Sequence, residues 1–226
     1  MDRHDFAYLR DSATLQFLDV SLPETVKLKV SQLLSQNVPM TVCRQEGLDA
    51  GQVKLAINCL VEGCKYRVAC WVAEYNIEQI TRPLSLRALL KADLQIFQRE
   101  ILSDFADKLE QRGCEVYVYG SYAYQALTRE AYVRPVSDLD MLLYPQHQND
   151  VPEILQLIQQ VQTQSSVHLD GEIQIHPDGH VSFNELITVF PAMKQQVIVK
   201  GIQRVDMLRL EQLFEGNLEY ADATTT

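Results

Sequence analysis

No run of apolar residues in this 226-residue chain approaches the roughly 20 needed to cross a bilayer as a helix, which argues against a membrane protein. Positive charge is scarce. Twenty Lys and Arg stand against thirty Asp and Glu, a formal net charge of −10. Nucleic-acid backbones demand a basic surface, so an unassisted nucleic-acid binder is disfavoured. Cysteine is sparse and unpatterned: Cys43, Cys59, Cys64, Cys70 and Cys114 contain no Cys-x-x-Cys pair. An odd count with no signal-peptide pattern reads as reduced thiols in the cytoplasm. The irregular spacing of Cys59, Cys64 and Cys70 among core-like neighbours gives a zinc site little support. Apolar residues, at 46%, suffice for a real core and exclude global disorder. The length allows one large domain or two small ones.

One stretch, residues 116–144, organises the rest. It opens with the alternating run Val116-Tyr117-Val118-Tyr119, a strand pattern, and stops at Gly120-Ser121. It closes with Ser137-Asp138-Leu139-Asp140 running into Met141-Leu142-Leu143, a second strand buried on at least one face. Side chains alternate across a strand, so Asp138 and Asp140 are expected on one side and Leu139 on the other. Two adjacent carboxylates repel each other unless a cation lies between them, and hard oxygen donors suit a divalent ion such as magnesium. Gly120 lets the backbone approach a ligand. Ser121 adds a hydroxyl and an amide for a phosphate oxygen. Residues 122–127 are expected to begin a helix whose first amides point at that phosphate. A lone Asp-x-Asp is more often a solvated turn and a lone Gly-Ser just a turn. The ordered combination of strand, Gly-Ser, polar spacer and Ser-Asp-x-Asp entering an apolar strand favours a phosphate-and-metal site.

The remaining chain predicts an α+β protein with two domains: a small β-rich domain over residues 1–82 and a mixed-sheet domain with flanking helices over 83–226. Residues 1–11 are short and polar around Phe6, Tyr8 and Leu9, with Arg3-His4-Asp5 read as a solvated end unless it faces the site. Residues 23–35 read as a helix with Ser21 as N-cap. Strands follow over 38–44, 54–60 and 65–73, the last two joined tightly at Glu62-Gly63. Arg44, Lys54, Lys65 and Arg67 lie along these strands, facing phosphates or solvent. Thr81-Arg82-Pro83 reads as a linker. Ser85 caps a helical pattern running to Arg112, with a break near Lys91-Ala92 and Gly113 as its stop. Residues 151–163 form an amphipathic helix covering the sheet. Residues 167–175 form a strand bearing Asp170 and Glu172 around Gly171, a glycine that suggests close backbone approach. A turn at 176–179, strands over 181–183 and 196–202, and a frayed tail from 219 complete the reading. Asn184-Glu185 either closes the site or starts a helix. Lys194, Lys200, Arg204 and Arg209 make the most basic neighbourhood of the C-terminal half.

Gly-Ser followed by Asp-x-Asp on a strand resembles the nucleotidyltransferase superfamily. The longer form GSYAYQALTREAYVRPVSDLD is similar to one family, the malonate decarboxylase holo-acyl-carrier-protein synthases, or phosphoribosyl-dephospho-CoA transferases. Arg3-His4-Asp5, Asp170-Gly171-Glu172 and the run Val197-Ile198-Val199-Lys200 fit the same family. The likeness is most detailed from Tyr117 to Lys200 and thin between Leu9 and Leu90. Tyr124 and Phe183 stand where the family tends to have tryptophan, and Arg129 where it tends to have glycine, which bears on the loop near the substrate.

The resemblance implies a nucleotidyltransferase-like second domain. Asp138 and Asp140 would be its metal ligands for magnesium, and either Asp170 or Glu172 a third catalytic carboxylate. Gly120, Ser121, Ser137, Lys200 and Arg3 would bind substrate. It implies transfer of a prosthetic group from 2′-(5″-triphosphoribosyl)-3′-dephospho-CoA to a serine of the apo acyl carrier subunit of malonate decarboxylase, releasing pyrophosphate. The β-rich domain would meet either the pantetheine arm or, more readily, the carrier. Acyl carriers are acidic, so a local basic patch must offset the chain's negative charge. Composition and spacing alone reach only metal-dependent nucleotidyl transfer. Two alternatives stay open: a nucleotidyltransferase with another acceptor, and a non-catalytic nucleotide- or carrier-binding module.

Overall fold

The structure, a computed structural model, describes residues 1–47, 49–92, 98–176 and 179–214. In chain order the strands are β1 Phe6–Leu9, β2 Gln16–Phe17, β3 Met40–Val42, β4 Gln52–Val61, β5 Cys64–Ala73, β6 Ile77–Thr81 and β7 Leu84–Ser85. They continue with β8 Cys114–Val118, β9 Leu139–Pro145, β10 Leu169–His176, β11 Gly179–Ser182, β12 Gln196–Lys200 and β13 Val205–Arg209. The helices are α1 Glu24–Ser35, α2 Leu86–Lys91, α3 Arg99–Glu110, α4 Gly120–Thr128, α5 Val151–Gln164, α6 Phe183–Val189 and α7 Leu210–Phe214. The class is α+β with two sheets. The chain divides into two compact units. The first is Met1–Leu84, Tyr119–Ser137 and Ile202–Arg204. The second is Ser85–Val118, Asp138–Gly201 and the described residues from Val205. Among the described residues no helix is long and apolar enough to cross a membrane.

The first unit is built on an antiparallel sheet in the order β2-β5-β4-β3-β1-β6. Strands β4 and β5 pair along their full length, from Gln52↔Ala73 to Val61↔Cys64. Glu62 and Gly63 join them with positive φ of 51° and 77°, the signature of a hairpin turn whose twist matches its strands. Val53, Leu55, Ile57 and Cys59 alternate with more polar residues and share a face with Val68, Cys70 and Val72. Helix α1 buries Val26, Val30 and Leu33 in the same core. Each such side chain contributes about 1.5–3 kcal/mol of burial.

Two tyrosines from the 119–137 segment complete this core. Tyr124 is 1% exposed; its hydroxyl donates to Pro39 O at 3.4 Å and lies 3.3 Å from Thr41 Oγ1. The Tyr132 hydroxyl donates to Asn58 O at 3.0 Å. Arg129 ends α4 in the left-handed region (φ 63°), which glycine takes without steric cost.

Two local expectations are corrected. Ser21 does not cap α1; its amide and hydroxyl both bond Asp19 Oδ1, and the helix starts after Pro23 with no side-chain cap. The N-terminal stretch is not a solvated end, because Asp5, Phe6 and Ala7 are buried and β1 runs between β3 and β6. In the stretch read as a linker, Thr81 ends β6, which pairs with β1, Arg82 and Pro83 lie outside any strand, and Arg82 bridges to Asp5 at 3.0 Å.

The second unit's sheet runs β13-β12-β11-β10-β9-β8-β7. β9 and β10 are parallel, a pairing that needs a crossover connection, and the 14-residue α5 supplies it. Val116, Val118, Leu139, Met141, Leu143, Ile173, Ile175, Val181, Val197 and Val199 form an alternating buried set. Helices α2 and α3 pack on β8, and α5 and α6 on β10. The intervening positions carry Tyr117, Asp140, Tyr144, Glu172, His180 and Lys200. Ser85 caps α2 by accepting from Ala88 N at 3.1 Å, and the helix breaks at Ala92 as expected. Leu94 and Phe97 of that pattern, Pro177 and Asp178 of the predicted turn, and the tail lie outside the described residues. Strand β13 was not anticipated. It pairs with β12 from Gln196↔Arg209 to Lys200↔Val205.

Candidate active site

The Asp-x-Asp segment enters its strand through a turn. Ser137 N donates to Arg134 O, and Ser137 Oγ accepts from Arg134 N, both at 2.9 Å. Pro135 occupies the second position of this turn, where its fixed φ belongs. Ser137 therefore closes the turn that delivers the chain to β9. The strand begins at Leu139, one residue later than the alternation suggested, and Asp138 precedes it, exposed. Leu139 N already bonds His168 O at 2.8 Å, so the parallel ladder starts there.

Asp140 and Asp170 are register partners across β9 and β10. The next pair is Met141 and Gly171. Gly171 has φ 146°, and a β-carbon there would collide with the main chain of Met141. The close backbone approach expected of Gly171 is thus present. It sets two carboxylate residues side by side on neighbouring strands. Asp170 Oδ1 accepts from Asn184 Nδ2 at 3.1 Å. Glu172 is placed differently: its register partner is Leu142, it is 4% exposed, and its Oε1 accepts from Lys200 Nζ at 3.0 Å. Lys200, expected on a triphosphate, is engaged by this buried carboxylate.

Gly120 and Ser121 lie in the first unit, at the start of α4. Gly120 has φ 67°, and Tyr119 makes no side-chain cap, so the first amides of the helix have no intrahelical acceptor. Lys65 Nζ donates to Ser121 Oγ at 3.0 Å. The His4 ring stacks on Tyr119, centroids 4.1 Å apart, and the Arg3 guanidinium lies 3.3 Å from His4 Nε2. The N-terminal Arg3 and His4 are therefore gathered beside the residue preceding Gly120. Asp5, the third residue of that motif, is buried and holds Arg82 and the Asp2 amide instead. Lys65 was one of four undifferentiated strand cations in the sequence. Its partner lies 56 residues away, and no local pattern reveals the pairing.

Magnesium keeps most of its water and takes one or two protein carboxylates plus substrate phosphates. Asp140 and Asp170 as register partners, with exposed Asp138 two residues before Asp140, fit that demand in donor chemistry and number. Among the described residues no group of three or more His, Cys, Asp or Glu forms a ready metal cage.

A family model described as "Phosphoribosyl-dephospho-CoA transferase MdcG C-terminal domain" matches residues 85–211. A protein of Xanthomonas axonopodis pv. citri named phosphoribosyl-dephospho-CoA transferase is 28% identical, covering 94% of this chain and 96% of its own. Relatives of the same name come from Xanthomonas euvesicatoria pv. vesicatoria, at 27% over 94% and 96%, and Bradyrhizobium diazoefficiens, at 25% over 95% and 92%. No solved structure matches the chain. A family match over more than half the chain, joined by near full-length relatives of one name, makes this chain a member of the phosphoribosyl-dephospho-CoA transferase family of enzymes.

Proposed function

We propose that this enzyme moves the phosphoribosyl-dephospho-CoA group from 2′-(5″-triphosphoribosyl)-3′-dephospho-CoA onto a serine of an apo acyl carrier protein, the carrier subunit of malonate decarboxylase. The bond formed joins the serine Oγ to the α-phosphorus of the donor, giving a phosphodiester. The bond broken is the anhydride to the β-phosphate, and pyrophosphate leaves. The observation that carries this reading is the register pairing of Asp140 with Asp170, enforced by Gly171.

Phosphoryl chemistry of this kind asks a protein for positioning and charge compensation more than for covalent help. Asp138 and Asp140 would hold magnesium, with Asp170 completing the set. Magnesium, when bound, neutralises charge developing on the attacked phosphate and on the leaving pyrophosphate. Asp170 is better placed than Glu172 to take the serine proton, because Glu172 is buried and paired with Lys200. Within the first unit, Lys65, the Ser121 hydroxyl and the opening amides of α4 are donors of the kind that bind phosphate oxygens. Lys200 acts through Glu172, and Ser137 through the turn it closes. With an acyl carrier subunit as acceptor, the reaction would run in the cytoplasm.

Intact-mass spectrometry of the apo carrier, incubated with enzyme, magnesium and donor, tests the reading. The expected result is a gain equal to the donor less pyrophosphate. An unmodified carrier, with pyrophosphate released from ordinary nucleoside triphosphates, would replace the donor and acceptor named here. No turnover with either, alongside retained nucleotide binding, would indicate a binding module.

A further inference from the structure

Asp170 is exposed and stands at the second position of β10, where an aspartate side chain has nothing in its own strand to orient it. One helix amide bonds it directly, and a second, from another helix, holds the first. Gln162 Nε2, on α5, donates to Leu169 O at 3.1 Å and to Asn184 Oδ1 at 3.0 Å. Asn184 Nδ2, on α6, donates to Leu169 O at 3.2 Å and to Asp170 Oδ1 at 3.1 Å. An amide nitrogen has two hydrogens, so both donors of each group are used. The direction of the chain is fixed by its ends. Turning the Asn184 amide over would set its oxygen against two acceptors, Leu169 O and Asp170 Oδ1, and its nitrogen against the Gln162 donor. The Leu169 carbonyl and the Asp170 carboxylate thus dictate one polarity, running from Gln162 through Asn184 to Asp170.

We propose that Asn184, held by Gln162, is a positioning residue that orients the Asp170 carboxylate toward the metal. This rests on the reading of Asp170 as part of a metal-dependent transferase site. Asn184 occupies Oδ1 and leaves Oδ2 as the oxygen presented to a cation. Amides suit this task because they donate without adding charge. A lysine there would neutralise the carboxylate and weaken its hold on a divalent ion. Outer partners that orient a carboxylate ligand typically change metal affinity or activity by about 10–100-fold when removed.

The test is Mn2+ binding to the whole protein, followed by electron paramagnetic resonance of the free ion, in wild type, Asn184→Ala, Asp170→Asn and the double variant. Gln162→Met is measured alongside, and thermal unfolding checks that each variant is folded. Asn184→Ala is expected to weaken Mn2+ binding by about 10-fold in the wild-type background and to have no further effect once Asp170 is Asn. Gln162→Met, which leaves Asn184 in place without its donor, is expected to fall between the two. A merely structural Asn184 would lower the unfolding temperature and act equally with or without Asp170. Unchanged Mn2+ binding in Asn184→Ala, or equal loss in both backgrounds, overturns the proposal. If Asp170→Asn itself leaves both Mn2+ binding and turnover intact, the assignment of Asp170 fails first, and the inference with it. If Asp170→Asn is inactive while Asn184→Ala behaves as wild type, only the inference fails.

Discussion

Gly171 stands opposite Met141 with no room for a β-carbon between them. Its φ of 146° is one that side-chain-bearing residues rarely adopt. Steric and conformational demands coincide at this residue, next to the register pair Asp140 and Asp170. Gly171→Ala is therefore expected to destabilise the protein by about 3 kcal/mol or more, from backbone strain and overpacking together. Urea unfolding measures this directly. An unchanged midpoint would mean that β9 and β10 are not so closely apposed.

The carboxylates should separate by role. Asp138→Asn, Asp140→Asn and Asp170→Asn are each expected to lower turnover by about 100-fold with little change in thermal stability, as loss of a metal ligand predicts. Glu172→Gln should do the reverse in emphasis. It weakens the charge-assisted bond from Lys200 in a buried setting, costing about 1–2 kcal/mol of stability. Turnover and thermal unfolding measured on all four variants decide the matter. A fully stable but inactive Glu172→Gln would restore Glu172 as the third carboxylate.

Lys65 and Lys200 make a second contrast. Lys65 bonds Ser121, whereas Lys200 bonds buried Glu172. Lys65→Met is expected to reduce kcat/KM for the donor by about 10-fold or more, the worth of one charge-assisted hydrogen bond, while leaving folding intact. Lys200→Met should lower stability before it alters donor affinity. Steady-state kinetics at varied donor, with urea unfolding of both variants, would reveal the opposite ordering if Lys200 were the phosphate ligand.

Thiol reactivity follows burial. Cys64 is exposed and Cys43 half-buried, whereas desolvation pushes Cys70 and Cys114 up to about 12. Iodoacetamide at pH 8 should label Cys64 first and Cys43 more slowly, sparing Cys59, Cys70 and Cys114 until the protein unfolds. Peptide mass spectrometry reads the order. Early labelling of Cys114 would contradict its burial.

The same desolvation sets the alkaline limit. Burial raises the Tyr124 hydroxyl to about 12 from an ordinary 10.0, and raises Tyr132 as well. Cys70 and Cys114 rise from 9.0. With folded values above unfolded ones, the folded state keeps protons that the unfolded state releases. Stability is complete below the unfolded values and falls as pH climbs from about 9 through 12. Unfolding midpoints recorded between pH 7 and 11 should decline over the upper half of that range. A flat profile would mean these groups ionise without unfolding the core.

Much of this molecule was legible in the chain itself. The hairpin at Glu62-Gly63, the Ser85 cap, the break at Ala92 and the covering helix α5 follow from local rules of turn chemistry, capping and periodicity. So do the strand, Gly-Ser and helix order at 116–128 and the apolar strand carrying Asp140. Gly171 announced a close approach because glycine in a strand has few other reasons to be there. The tertiary structure decided what depends on partners distant in sequence. Only strand register chose Asp170 over Glu172 as the neighbour of Asp140, since the two differ by one step along a single face. Only folding brought Lys65 to Ser121, Lys200 to Glu172 and Gln162 through Asn184 to Asp170. Periodicity reports which face a residue takes. It carries no record of which residue from another element will stand across from it.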